Sequence, residues 1–355
     1  MAIPSHAGVL QPKRFAGQVN GQQTSLFLLH NAVGSVVAIT NLGAKVLQIL
    51  VPDRHGEHGD VVLGYDSLSD VMNGSPSLGA FIGRYAGRIA NASFKHHGQV
   101  ITLQANDGVH CLHGGSNGSR HQVFEAQQHD AQTLVLQHWF HSHVDGFTGS
   151  LNLTLTYHLS DDNALTLQHH ARIDSGDTPA SFASHIFFNL NGQGNINEHQ
   201  LQVYADHILQ TDDYKVCNGD QQALDGHELD LRNLSTLGHL PDLDHAYIVQ
   251  PHHAAPSPAG AIPQCVAKLY SPYSGRFLET WSTEPVLQVY GSGALGNGPI
   301  ADIGKNGVHH QARSAVCLEP QRYPNAPNCP SFPLNYVTPD KPYQATTSYC
   351  FGVKS

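Results

Sequence analysis

LNLTLTYHLSDDNALTL, residues 151–167, is the stretch that decides the fold. Leu151, Leu153, Leu155, Tyr157 and Leu159 alternate with polar residues. Successive side chains of a strand point to opposite faces, so all five share one side of a half-buried strand. SDDN at 160–163 has turn chemistry, and Ala164, Leu165 and Leu167 resume a strand, so the segment reads as an antiparallel hairpin. Working outward, short β-branched or Leu-rich stretches recur at residues 25–30, 35–40, 45–51, 133–139, 200–205, 276–282 and 286–290. Thirty-four Gly and 20 Pro punctuate them, and a helical turn is expected only near residues 67–72. The expected fold is all-β, a large antiparallel β-sandwich with few short helices. No linker or charge run divides the 355 residues, although AAPSPAGAIP at 254–263 reads as a long surface loop, so one domain over 1–355 is expected. No period of 20 to 50 residues points to a propeller or solenoid.

Composition narrows the function classes. Charged residues are 13% of the chain, about half the roughly 25% usual in soluble proteins, and the net charge is -10. With few basic clusters there is no electrostatic footprint for nucleic acid or anionic lipid. The longest apolar runs are strand-sized, far short of the roughly 20 residues of a membrane span. The N-terminal MAIPSHAGVLQPKRF lacks the pattern of a secretory signal, which leaves the cytoplasm as the expected location. Six cysteines without CxxC spacing read as reduced thiols. Twenty-six histidines raise the question of metal, but the pairs His96-His97, His169-His170, His252-His253 and His309-His310 are adjacent. Neighbours on a strand face apart, so no metal site is expected from them.

Four segments concentrate groups that handle protons or bind hydroxyls: GRYAGRI, CLHGG, SHIFFNLNG and CLEPQRYPNAP. His113 precedes two glycines that let backbone approach a ligand, or is a turn histidine. His185 lies in a strand-like stretch, sharing a side with Ala183 and Phe187. There it is either a satisfied core histidine or a desolvated acid/base group with lowered basicity. Glu319 follows the apolar AVCL, which would bury a carboxylate at a strand end, with Pro320 stopping the ladder. Burial raises its proton affinity, as a general base near neutral pH requires; an exposed strand-end glutamate is the bland alternative.

Taken in order, these segments resemble the aldose 1-epimerase (galactose mutarotase) family, from about residue 40 to 353. TNLGAKVLQILVPDRHGEHGDVVLGYDSL looks like the family's opening hairpins, and FIGRYAGRIANASF with NDGVHCLHGG like its arginine and LHGG motifs. SHIFFNLNG resembles the segment of the second histidine, LDHAYIV that of the sugar-binding aspartate, PVLQVYGSG that of a glutamine, and CLEPQRYPNAPNCPSFP that of the catalytic glutamate. PDKPYQATTSYCF resembles the closing strands. The resemblance implies a galactose mutarotase-like supersandwich that interconverts the α and β anomers of free aldohexoses such as galactose and glucose. It implies Glu319, His185 and His113 as catalytic residues and Arg88, Asp244 and Gln288 as sugar-binding residues. No cofactor or metal is implied, and the expected partner is a free sugar, bound by a monomer or homodimer.

Three positions depart from the family pattern: Phe187 replaces an aromatic hydroxyl two residues after the second histidine, Gly87 an asparagine, and Asn325 an aspartate. Three other readings remain. One is a non-catalytic carbohydrate-binding supersandwich domain, and another a mutarotase for phosphorylated hexoses, which would want an Arg/Lys cluster. The third is a histidine-rich metal-handling protein.

Overall fold

The computed structural model describes residues 8–249, 262–297, 300, 302–334 and 336–354, so most of the loop expected over 254–263 lies outside the described residues. The 151–167 hairpin forms as read: Leu151–Leu159 pairs antiparallel with Ala164–Ile173, with Leu159 opposite Leu165 and Leu151 opposite Ile173. The five alternating apolar side chains of the first strand are all buried, and the residues between them face outward. Burying each such side chain stabilises by roughly 1.5–3 kcal/mol, which fixes the register, since a one-residue slip would turn the leucines to solvent.

The hairpin sits inside a nine-stranded antiparallel sheet. On one side of it lie Thr133–Phe140 and Glu125–Gln128, and on the other Tyr343–Val353, Arg276–Ser282, Gln264–Tyr270, Gln200–Val203 and Ser235–Thr236. A six-stranded sheet runs Phe187–Phe188, Val316–Gln321, Val286–Tyr290, Asp244–Ile248, His207–Thr211, Cys217–Ala223, and a four-stranded one runs Leu26–His30, Val36–Thr40, Lys45–Pro52, His58–Asp60. One apolar cluster joins all three, with Leu153 and Leu167 from the large sheet, Leu287 and Leu318 from the second, and Ile49 and Val51 from the third. Among the described residues the only α-helix is Leu68–Asn73, N-capped by the Ser67 side chain, which accepts from the Asp70 backbone N–H. No described helix is long and apolar enough to cross a membrane.

Two local expectations need correction. Pro320 does not end its strand: Val316–Gln321 continues, with Pro320 opposite Leu287 and Gln321 opposite Val286. The neighbour on the other flank, Phe187–Phe188, pairs only with Val316 and Cys317, which leaves that flank without a ladder beyond Cys317. A proline lacking its N–H is tolerated at such an edge. The stretch around His185 is not one strand either. Ala183–Ser184 pairs with Phe81–Ile82, Phe187–Phe188 pairs with the Glu319 strand, and His185 lies in the step between.

Leu155→Ala, in the centre of the core hairpin, is expected to destabilise the fold by about 2–5 kcal/mol in urea unfolding; a shift below about 1 kcal/mol would remove the hairpin from its central place.

Candidate active site

Val316–Gln321 is buried along its whole length. Val316 and Leu318 enter the main core, so Cys317, Glu319 and Gln321 must face the other way. Register sets Gln288 beside Glu319, Ala246 beside Gln288, and Asp244 beside Tyr290. This face of the six-stranded sheet is the floor of a cavity of about 350 Å³, and Arg88, His113, His185, Asp244, Gln288 and Glu319 all line it. All six predicted site residues therefore meet at one place. A larger cavity of about 540 Å³ around Arg84 and Trp139 contains none of them.

The walls come from loops. His113 has φ +55 and is followed by Gly114 at φ +81, where a Cβ would stand 2.5 Å from the Gly83 carbonyl oxygen, so only glycine lets this turn close. The Gly87 N–H donates to His113 Nδ1 at 3.3 Å, which leaves the imidazole proton on Nε2. Arg88 is held by Asp107, with Nε 2.6 Å from Oδ2. Gln288 Nε2 donates to Asp244 Oδ1 at 2.7 Å, orienting both side chains before any ligand arrives. Tyr85 ties the arginine segment to the glutamate segment: its hydroxyl donates to the Tyr323 carbonyl and accepts from the Ala326 N–H.

The departures now have physical content. Gly87 stands at φ +80, a conformation that glycine and asparagine both tolerate. Asn325, also left-handed, accepts from the Ala90 N–H and donates to the Cys217 carbonyl, so it braces the wall. Phe187 stacks on His185, with centroids 5.0 Å apart and planes 13° apart. Tyr290 meets both rings edge-on and brings a phenol into the same cavity.

The electrostatics are set by burial. His185 Nε2 lies 3.7 Å from Glu319 Oε1, both side chains almost fully covered. Burial, helped by Asp244, raises Glu319 well above the usual carboxylate range. Burial, then the charge of Arg120, lowers His185 to about 3, and burial lowers His113 well below its ordinary value. Burial thus favours the neutral form of each member of the Glu319–His185 pair, the carboxyl holding its proton and the imidazole giving up a second one. Such a pair can take a proton from one atom while giving one to another close beside it.

His185, Cys317 and Glu319 also bring donor atoms within 4.8 Å of one another. Burial raises the Cys317 thiol well above its ordinary value, so it is protonated at neutral pH and a poor ligand. The expectation that adjacent histidines face apart fails at His96-His97, which converge on Asp177 because His96 ends its strand and His97 opens the hairpin turn. The sequence reading passed over Tyr290, although the two-residue period from Gln288 puts it on the same face. It also passed over Asp107, within the quoted NDGVHCLHGG, and Lys45 and Arg120, whose charges reach His185 from distant segments.

Comparison with known proteins places the chain among aldose 1-epimerases. A family model described as aldose 1-epimerase matches residues 25–350. The galactose mutarotase of Sus scrofa is 32% identical over 325 residues, spanning 89% of this chain and 91% of that one. The aldose 1-epimerase of Escherichia coli K12 is 29% identical over 350 residues, spanning 94% and 96%. The crystal structure of the GalM/aldose epimerase homologue from C. elegans superposes with a TM-score of 0.86 at 27% identity, covering 94% of this chain and all of that one.

Removing Asp107 as Asp107→Ala frees Arg88 and should raise KM about tenfold or more with little change in kcat, the worth of a charge-assisted hydrogen bond. An unchanged KM would separate Arg88 from sugar binding. Acid stability is a second test. Burial is the largest cause of lowered values at eight described histidines, 113, 121, 138, 170, 185, 199, 245 and 310. Between those values and about 6.5 the unfolded chain binds more protons, so their stabilisation is lost as pH falls below 6.5. The raised carboxyls of Asp145, Asp244 and Glu319 act in the opposite sense but are fewer. The melting temperature should therefore drop between pH 7 and pH 5; constancy or a rise would contradict the buried, neutral histidines.

Proposed function

The chain belongs to the aldose 1-epimerase family, and from that premise we propose that it interconverts the α and β anomers of free aldohexoses, galactose and glucose among them. The carrying observation is the desolvated Glu319–His185 pair at the floor of a sugar-sized cavity. Galactose comes first because relatives bear the name galactose mutarotase; glucose follows because it differs from galactose only in the configuration of one hydroxyl.

Anomers exchange when the C1 hydroxyl loses a proton as the ring oxygen gains one, which opens the ring to an aldehyde that rotates and recloses. The proton of the Glu319 carboxyl suffices. The incoming C1 hydroxyl donates to Glu319 and favours its ionised form, while the ring oxygen accepts from His185, which then carries the proton. Glu319 takes the C1 proton as His185 delivers its own, and the roles exchange on reclosure. His113, with its proton on Nε2, and Arg88 polarise the oxygens around C1, and the Asp244–Gln288 pair holds hydroxyls farther round the ring. The Tyr290 hydroxyl supplies the aromatic hydrogen bond that Phe187 lacks. The chain acts as one domain: its last strand, Tyr343–Val353, lies in the middle of the nine-stranded sheet.

Polarimetry of freshly dissolved α-D-galactose and α-D-glucose, with spontaneous mutarotation subtracted, tests the reading. Glu319→Gln should lower turnover by roughly 10²- to 10⁴-fold. Near-normal turnover in that variant removes Glu319 as the base, and no acceleration by the wild type removes the activity. Tyr290→Phe should raise KM severalfold with kcat nearly kept, the worth of one neutral hydrogen bond of about 1 kcal/mol.

A further inference from the structure

The hairpin that follows the Arg88 segment carries a feature the sugar chemistry does not use. Ser93–His96 pairs with Gln99–Thr102, and the two-residue turn between them is His97-Gly98, both at positive φ. Adjacent side chains at the mouth of such a turn are released from strand alternation. The His96 and His97 rings accordingly lie 3.9 Å apart, centroid to centroid, and turn their Nε2 atoms to one carboxylate. His96 Nε2 is 2.7 Å from Asp177 Oδ1, and His97 Nε2 is 3.1 Å from Oδ2. None of the three lines the sugar cavity.

The cluster is held in place by its surroundings. His96 is mostly covered and stacks on Tyr336 at 4.3 Å, with planes 24° apart. The Asp177 backbone carbonyl accepts from Thr148 Oγ1, and the adjoining Thr178–Pro179 pairs with Tyr336–Val337. The two carboxylate oxygens each face one imidazole nitrogen, so the group is already turned toward the space between the rings. Each imidazole nitrogen points at it through a proton that a cation can replace. All three donor atoms lie within 4.8 Å of one another. A tetrahedral ion with bonds of about 2.0–2.2 Å needs donors roughly 3.3–3.6 Å apart, so the His96–Asp177 contact of 2.7 Å opens by roughly 0.6–0.9 Å. His97, its side chain 76% exposed, is free to shift with it.

We propose that His96, His97 and Asp177 form a binding site for a borderline divalent transition metal, zinc or nickel, outside the sugar site. Two imidazoles and one carboxylate suit those ions rather than magnesium or calcium, and solvent completes the shell on the open side. Bound there, the ion staples the hairpin to the segments carrying Asp177 and Tyr336. Asn328 Nδ2 donates to the Ser93 carbonyl, so the hairpin is already tied to the turn beyond Glu319, and the staple braces the outer wall of the sugar site.

The test is calorimetric titration of untagged, chelator-treated full-length protein with zinc chloride and with nickel chloride. Wild type is compared with His97→Asn, Asp177→Asn and the control His129→Asn, which removes an exposed histidine elsewhere. Asparagine keeps the left-handed turn at position 97, so that variant should fold. One tightest equivalent is expected in wild type and in His129→Asn. In His97→Asn and Asp177→Asn it should weaken by at least roughly tenfold, since loss of even a partner of a ligand costs that much. Zinc should also raise the melting temperature of wild type but not of His97→Asn. Undiminished tight binding in His97→Asn, or equal loss in His129→Asn, would overturn the site and leave only diffuse binding by surface histidines. Neither readout uses mutarotation, so this result and that of the polarimetry stand apart.

Discussion

Glu319 sits on a strand that is buried on both faces, and most of the site follows from that constraint. Val316 and Leu318 belong to the core shared by three sheets, which commits Cys317, Glu319 and Gln321 to the opposite side. A carboxylate placed there by strand alternation loses its water, and its proton affinity rises, with the nearby Asp244 adding to the effect. The neighbouring strand then delivers Gln288 and Tyr290 to the same face by the same two-residue period, and the strand beyond it delivers Asp244. The core that stabilises the fold thus also raises the proton affinity of the Glu319 carboxyl.

Desolvation governs the rest of the electrostatics. It is the largest cause of the shifts at Glu319, His185, His113 and Asp244, ahead of any single charge. Lys45, lowered to about 7 by burial and by Arg120, is hydrogen-bonded to the Pro76 carbonyl and adds a second positive field at His185. Both charges disfavour a positive charge on His185. A group of hydroxyls entering such a cavity meets donors and acceptors already oriented by Asp107, Gly87 and the Asp244–Gln288 contact, so little ordering is left to the moment of binding.

The departures from the family pattern fall into two kinds. Gly87 and Asn325 preserve backbone conformations with positive φ and hydrogen bonds that shape the wall. Phe187 changes the chemistry of the pocket, since it keeps the stack on His185 and loses a hydroxyl, while Tyr290 stands edge-on beside it with one. Phe187 and the Tyr290 hydroxyl line the same cavity.

The sequence by itself determined the elements whose pattern is local. The alternation at 151–159, the turn at 160–163, and the strands Arg276–Ser282 and Val286–Tyr290 were legible because each side chain's face follows from its position along one strand. That Arg88, His113, His185, Asp244, Gln288 and Glu319 belong together was legible through resemblance and motif order, since no single one of them is specific alone. Tertiary structure decided what depends on neighbours distant in the chain. Pro320 stays within its strand because its flanking partner ends early, and His185 lies between two short strands of different sheets. Asp107 holds Arg88, Lys45 and Arg120 bear on His185, and His96 and His97 converge on Asp177 some 80 residues away. Periodicity assigns a face to a residue, but what stands opposite that face, and how much water is left there, is set only when the sheets pack.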